Sequence, residues 1–210
     1  MNKILENIKS ALLNSSPELQ VSVAAQELNK LDLDSVLEIL KSESEIDNFS
    51  LSFKVMLSPP HVLPLATFSG FSIEIIHWLY SDNVSTKDDN EDIHDHFGII
   101  VSKALAGNPY FNVGYELLDG NKLTKTKEFY FSAGDIHVIN QDDIHQVFMR
   151  PDQSALTIRI VFPPTKKFCT VYDRNGLIIR RIENSIDKKN RAIAEMMRYC
   201  QLASEIPKLS

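Results

Sequence analysis

The sequence has 210 residues, 43% of them hydrophobic, and a formal net charge of -6. That length suits one large domain or two small ones, and the composition suits a substantial core. The acidic balance argues against nucleic acid and anionic membranes as partners, because both recruit basic surfaces.

The N-terminal residues 2–14 place Ile4, Ile8 and Leu12 at helical spacing. Glu6 and Asn7 interrupt this stretch, so it does not read as a secretory signal. Ser16-Pro17-Glu18 reads as an N-cap with proline at the first helical position, opening a helix to about Leu28. Asp34 is the expected cap of a third helix over "SVLEILKSE". From about residue 50 the chemistry changes. "FSIEIIHWLY" (71–80) is β-branched and aromatic, hence a strand. Residues 81–92 are polar and acidic, hence a loop. Asp88-Asp89-Asn90-Glu91-Asp92 lacks the spacing and glycine of a calcium loop and reads as a solvated charge run. "IHDHFGIIVSKALA" returns to strand chemistry, and 108–123 reads as a strand entering an Asp119-Gly120 turn. Residues 127–149 suggest two short strands around Gly134-Asp135 and the Asn140–Asp143 turn. "ALTIRIVF" (155–162) is a strand stopped by Pro163-Pro164. Residues 186–204 read as an amphipathic C-terminal helix. Short strands at this spacing predict an all-β barrel or sandwich. Cys169 and Cys200 form no CxxC, so neither a disulfide framework nor a thiolate zinc site is expected. No apolar run reaches membrane-spanning length. A cytoplasmic protein is the expectation.

The chemistry concentrates in His94-Asp95-His96. On a strand, residues two apart share a face, so His94 and His96 aim together while Asp95 aims away. Two imidazoles so placed suit one metal ion, with a third ligand from elsewhere. An isolated H-x-H also arises on surfaces by accident, and the pair alone leaves both readings open. The chain offers four other histidines: His61, His77, His137 and His145. His77 reads as a packed strand residue, and His137 as structural or partly exposed. For His61, His137, Glu116 and Tyr115, strand register decides whether they line a pocket; the same holds for Tyr130 and Met149.

The wider spacing resembles the two-motif signature of the cupin superfamily. Gly107 stands where the first motif, begun by His94 and His96, has its glycine. Gly134 opens the second motif, and His145 ends it at the required interval. Asn140 and Asp142 replace that motif's proline and glycine, and both tolerate turns. The resemblance covers about residues 70–165. It implies an all-β core, a cupin double-stranded β-helix or jelly-roll barrel, with N-terminal helices and a C-terminal helix. The chain then divides into a helical stretch, 1–48, packed on the barrel; the cupin barrel, 49–182; and the C-terminal helix, 183–210, all in one structural domain.

The first-motif glutamate is replaced by Ile100. The implied metal site is therefore three neutral histidines, His94, His96 and His145. Within cupins this is similar to the thiol dioxygenases, of which cysteine dioxygenase is the type. That family's S-I-H-D-H stretch corresponds to Asp92-Ile93-His94-Asp95-His96, and its G-L-H-R-V to Asp143-Ile144-His145-Gln146-Val147. Its S-L-H-L-Y-S-P-P corresponds to Thr157 through Pro164, and Tyr172 through Gly176 loosely follow the next segment. The substrate-reading residues depart. The family's tyrosine is Val161, the histidine before it Arg159, and its crosslinked cysteine Val101; its carboxylate-binding arginine falls near His61.

The resemblance implies a mononuclear non-haem iron dioxygenase-like cupin, an oxidoreductase acting on a small polar or anionic metabolite with O2. Fe(II) is the implied metal; imidazole also suits Zn, Ni and Cu, and Mn is a further alternative. A redox-neutral metal-dependent isomerase, lyase or hydrolase, or a non-catalytic small-molecule-binding cupin, are the competing readings. Arg159 is the candidate catalytic residue. Alternation in "ALTIRIVF" separates Leu156, Ile158, Ile160 and Phe162 from Thr157, Arg159 and Val161, and the resemblance turns the second set inward. An inward guanidinium needs a partner, either a carboxylate such as Glu116 or an anionic substrate.

Overall fold

The computed structural model describes residues 2–44, 61–79, 93–118, 122–150, 153–173 and 178–183. The expected C-terminal helix, the 81–92 loop, the Asp119-Gly120 turn and Cys200 lie outside the described residues.

Three helices come first. In α1 (Lys3–Leu13), the Asn2 side chain caps the N-terminus by accepting the Ile4 N–H at 2.8 Å, and Leu5, Ile8 and Leu12 form the buried stripe. Pro17–Leu19 is a 3-10 turn leading into α2 (Gln20–Asn29). Helix α3 (Leu33–Ser44) begins before Asp34, so the expected cap is displaced. Asp32 caps instead, its Oδ1 accepting the Ser35 N–H at 2.8 Å and hydroxyl at 2.5 Å. Asp34 sits within the first turn, where its charge still complements the helix dipole.

The rest is β: β1 (His61–Thr67), β2 (Ser72–Leu79), β3 (Ile93–His94), β4 (Ile100–Gly107), β5 (Tyr110–Leu118), β6 (Lys122–Phe131), β7 (Ile136–Ile139), β8 (Ile144–Phe148), β9 (Ser154–Val161), β10 (Phe168–Tyr172) and β11 (Ile178–Glu183). They pair antiparallel into a five-stranded sheet, β1-β2-β9-β4-β7, and a six-stranded sheet, β11-β10-β3-β8-β5-β6. Consecutive strands alternate between the sheets from β3 to β4 and from β8 to β9. The result is an all-β, two-sheet jelly-roll arrangement, as expected. Pro64 falls on β1, an edge strand, where its missing N–H is tolerated. Residues 127–149 hold the end of β6 plus β7 and β8, one strand more than the sequence suggests; β6 runs ten residues and overlaps that stretch only in part.

The helices cover the outer face of the five-stranded sheet. Leu5, Ile8, Leu12, Leu28, Val36 and Ile39 share one core with Ile73, Val101, Ile158 and Ile160. Each such side chain, fully buried, contributes roughly 1.5–3 kcal/mol. Lys103, on the same outer face, is 8% exposed. Its ammonium donates to the carbonyls of Asn29 at 2.9 Å and Leu31 at 2.5 Å, closing the C-terminus of α2.

Candidate metal centre

Three imidazoles converge on the inner face of the six-stranded sheet. His94 and His145 are paired across β3 and β8. His96 joins them from outside the strand. The stretch "IHDHFGIIVSKALA" is two strands, not one: β3 ends at His94, and residues 95–99 carry the chain from one sheet to the other. His94 and His96 therefore do not meet by period-two alternation along one strand, as the sequence suggests. Tertiary bonds hold the break instead. The buried Asp95 carboxylate accepts the Thr170 N–H at 2.7 Å and the Lys166 ammonium at 2.8 Å. The Phe97 carbonyl accepts N–H groups from Thr165 at 2.9 Å and Lys166 at 3.0 Å. Gly98 is required by close approach, since a Cβ there would lie 2.7 Å from the Pro163 carbonyl oxygen. Burial opposes charge on Lys166, but its bonds to Asp95 and Asp142 hold its ammonium above the usual lysine range.

The ring centroids are 4.8 Å apart for His94–His96 and His96–His145, and 5.0 Å for His94–His145. One ligand nitrogen from each lies within 4.8 Å of the others. His96 Nε2 and His145 Nε2 stand 2.8 Å apart. Both nitrogens are close enough to share one ion bound at about 2.0–2.1 Å. The second ring nitrogen of His145 faces the Oδ1 of buried Asn112 at 3.2 Å. With Oδ1 accepting, Nδ1 carries the proton and Nε2 presents a lone pair, the arrangement that orients metal-binding imidazoles. Asn112 is a residue that sequence reasoning missed. It sits diagonal to His145, because β5 places Gly114 directly opposite it. Burial, then the neighbouring His94, lowers the His96 pKa to about 3. Burial also pushes His145 well below the ordinary histidine value, with His94 and His96 adding to the shift. Neutral nitrogen donors in this cluster fit a divalent ion.

The cluster faces a cavity of about 560 Å³ between the sheets. Arg159 lines its opposite wall, with Val161 beside it, whereas Ile158 and Ile160 pack under the helices. Arg159 pairs with Glu74, not Glu116. Its Nε and Nη2 donate to Glu74 Oε2 at 2.8 and 2.7 Å. β2 lies beside β9 and sets the two residues opposite each other, while Glu116 is exposed near the end of β5. His137 also lines the cavity, and burial depresses its pKa, with Lys127 adding to the effect and Asp143 opposing it. Tyr115 lies on the other face of β5, where its hydroxyl meets Gln146 Oε1 at 3.2 Å. Tyr130 is exposed and Met149 buried. His61 opens β1 opposite His77. Val101 packs in the helix-covered core and does not face the cavity.

No protein-family model matches the sequence, and no curated protein shows significant similarity to it. Solved structures do match. The neighbours are cupin-fold proteins. A protein of unknown function with a cupin-like fold from Ralstonia eutropha is 15% identical, with 65% of this chain and 74% of that one covered and a TM-score of 0.40. A double-stranded β-helix protein from Klebsiella pneumoniae is 13% identical, with 58% and 95% covered and a TM-score of 0.35. The DMSP lyase DddQ of Ruegeria pomeroyi is 10% identical, with 51% and 49% covered and a TM-score of 0.36. The chain thus spans about half the length of that lyase. Nothing about chemistry follows from likenesses of this size. Among the described residues, no helix is long and apolar enough to cross a membrane.

Proposed function

We propose that the protein is an iron-dependent, dioxygenase-like enzyme acting on a small anionic metabolite. The observation that carries this reading is the convergence of three imidazoles, one of them oriented by Asn112, on a cavity whose opposite wall carries Arg159. His94, His96 and His145 would hold the ion. When bound, divalent iron supplies O2 activation and a charge that three neutral ligands leave uncompensated. That charge favours an anionic substrate. Arg159 orients the substrate's acidic group from the opposite wall, held in place by Glu74. Val161, Ile100 and Val147 supply apolar wall in the same cavity. Val161 supplies no hydroxyl to donate a hydrogen bond or a proton. Free cysteine is therefore expected to be a poor substrate.

The test is anaerobic loading with Fe(II), followed by O2-uptake measurements with a panel of small carboxylic acids and with L-cysteine. Substrate-dependent O2 consumption with an acid, and little with cysteine, is the expected result. Product formation without O2 would replace the reading with a redox-neutral enzyme. Saturable binding with no turnover would replace it with a binding protein.

A further inference from the structure

A line of four polar side chains crosses the inner face of the five-stranded sheet. Strand register sets Glu74 opposite Arg159, Arg159 opposite Ser102, and Ser102 opposite His137. All four line the cavity on the wall facing the three histidines. The rows on either side are largely apolar: Val161, Ile100 and Ile139 on one, Ile76 and Ala104 on the other. Thr157, in the second row, already accepts the Trp78 indole N–H at 3.1 Å.

Hydrogen-bonding capacity along this line is unevenly used. Glu74 Oε2 accepts from two Arg159 nitrogens, and its Oε1 from the Ser72 hydroxyl at 3.3 Å. Arg159 Nη1 has no partner among the described residues. Ser102 is 7% exposed, yet its hydroxyl has no partner among the described residues either. The His137 ring makes contacts with Phe129 and Phe131 but no hydrogen bond among the described residues. Leaving a buried hydroxyl unsatisfied is costly, and a ligand that accepts from it removes that cost. What remains unused is rich in donors: a guanidinium nitrogen, a hydroxyl and an imidazole N–H. Donors held side by side at neighbouring register positions suit an oxygen acceptor with two lone-pair-bearing atoms. Glu74 balances the guanidinium while it waits and fixes its plane.

We propose that Arg159, Ser102 and His137 form a carboxylate-binding subsite, and that the substrate is a short dianionic acid spanning from this row to the histidines. The second half of the statement rests on the metal-centre reading above. Neutral ligands leave a divalent ion with its full charge, and the Glu74–Arg159 pair is internally neutral, so the metal end calls for an anionic group of its own. The cavity of about 560 Å³ between the row and the histidines has room for an acid of about four to six carbons.

Trp78 is the only tryptophan in the chain, lines the same cavity and stacks on Tyr110 at 5.5 Å. Its fluorescence therefore reports occupancy without any turnover. Zn(II)-loaded and metal-free protein would be titrated with succinate, butyrate and uncharged succinamide. In the Zn(II) form, succinate should bind roughly ten-fold or more tightly than butyrate, and succinamide more weakly still. In the metal-free form, succinate and butyrate should bind weakly and alike. Ser102→Ala should weaken carboxylate binding by roughly three- to ten-fold. The double variant Glu74→Gln/Arg159→Gln, which removes the pair without stranding either charge, should weaken it by roughly ten-fold or more, with circular dichroism confirming the fold. Undiminished binding in the double variant, or equal binding of succinate and succinamide, overturns the subsite. If Zn(II) itself fails to bind, the metal reading falls, and the metal-free titration of Ser102→Ala still decides the row.

Discussion

The two faces of the five-stranded sheet are built on opposite principles. Apart from Lys103, the face under the helices is apolar and closely packed, with Ile73, Val101, Ile158 and Ile160 all 0% exposed. The cavity face, formed by the alternate residues of the same strands, carries Glu74, Arg159, Ser102 and His137. One face secures the fold by removing area from water. The other holds donors whose partners are incomplete. A sheet that spends one face on stability can keep the other poised for a ligand.

Truncations on the two faces of neighbouring strands should have opposite consequences. Ile158→Ala should cost about 2–5 kcal/mol in chemical denaturation. Ser102→Ala should leave stability unchanged or slightly raised, because it removes a buried hydroxyl that has no partner. The reverse order would contradict the division of labour. A smaller loss is expected at the crossing between sheets. Gly98→Ala places a methyl against the Pro163 carbonyl and should cost about 1–3 kcal/mol, with weaker metal retention as His96 shifts. Asn112→Ala should preserve the fold and reduce metal affinity by about 10- to 100-fold, measured by competition with a chelator. Wild-type affinity in that variant would remove Asn112 from its orienting role.

The smallest effect concerns pH. His137 is held below its ordinary value in the folded state, so the unfolded chain takes up the proton first as pH falls. Its contribution to stability is complete above about pH 6.5 and declines as pH drops below that value toward the depressed folded pKa. His137→Gln should therefore lose less stability than wild type between pH 7 and pH 5. Identical slopes in urea melts across that range would show that His137 is free to protonate in the cavity.

Much of this was legible in the sequence because it is local. The histidine pair, the spacing of His145 and the alternation in "ALTIRIVF" are all readable within short windows. Gly107 adopts a φ of 99°, and a Cβ there would lie 2.3 Å from the Ser154 carbonyl oxygen, which explains why glycine stands at the end of the first motif. What escaped is long-range. Asp95 breaks the strand through Lys166 and Thr170, 71 and 75 residues away. Arg159 finds Glu74 across 85 residues, because β2 and β9 are neighbours only in space. Asn112 and Ser102 carry no motif at all. Their roles come from the register of strands that no spacing rule pairs.

The proposed chemistry depends on His94, His96 and His145 sharing one divalent ion. Elemental analysis of the purified protein and of His145→Ala, after equal exposure to Fe(II) and to Zn(II), tests it most directly. One ion per wild-type chain and a sharp loss in the variant are expected. Full metal retention in His145→Ala would contradict it.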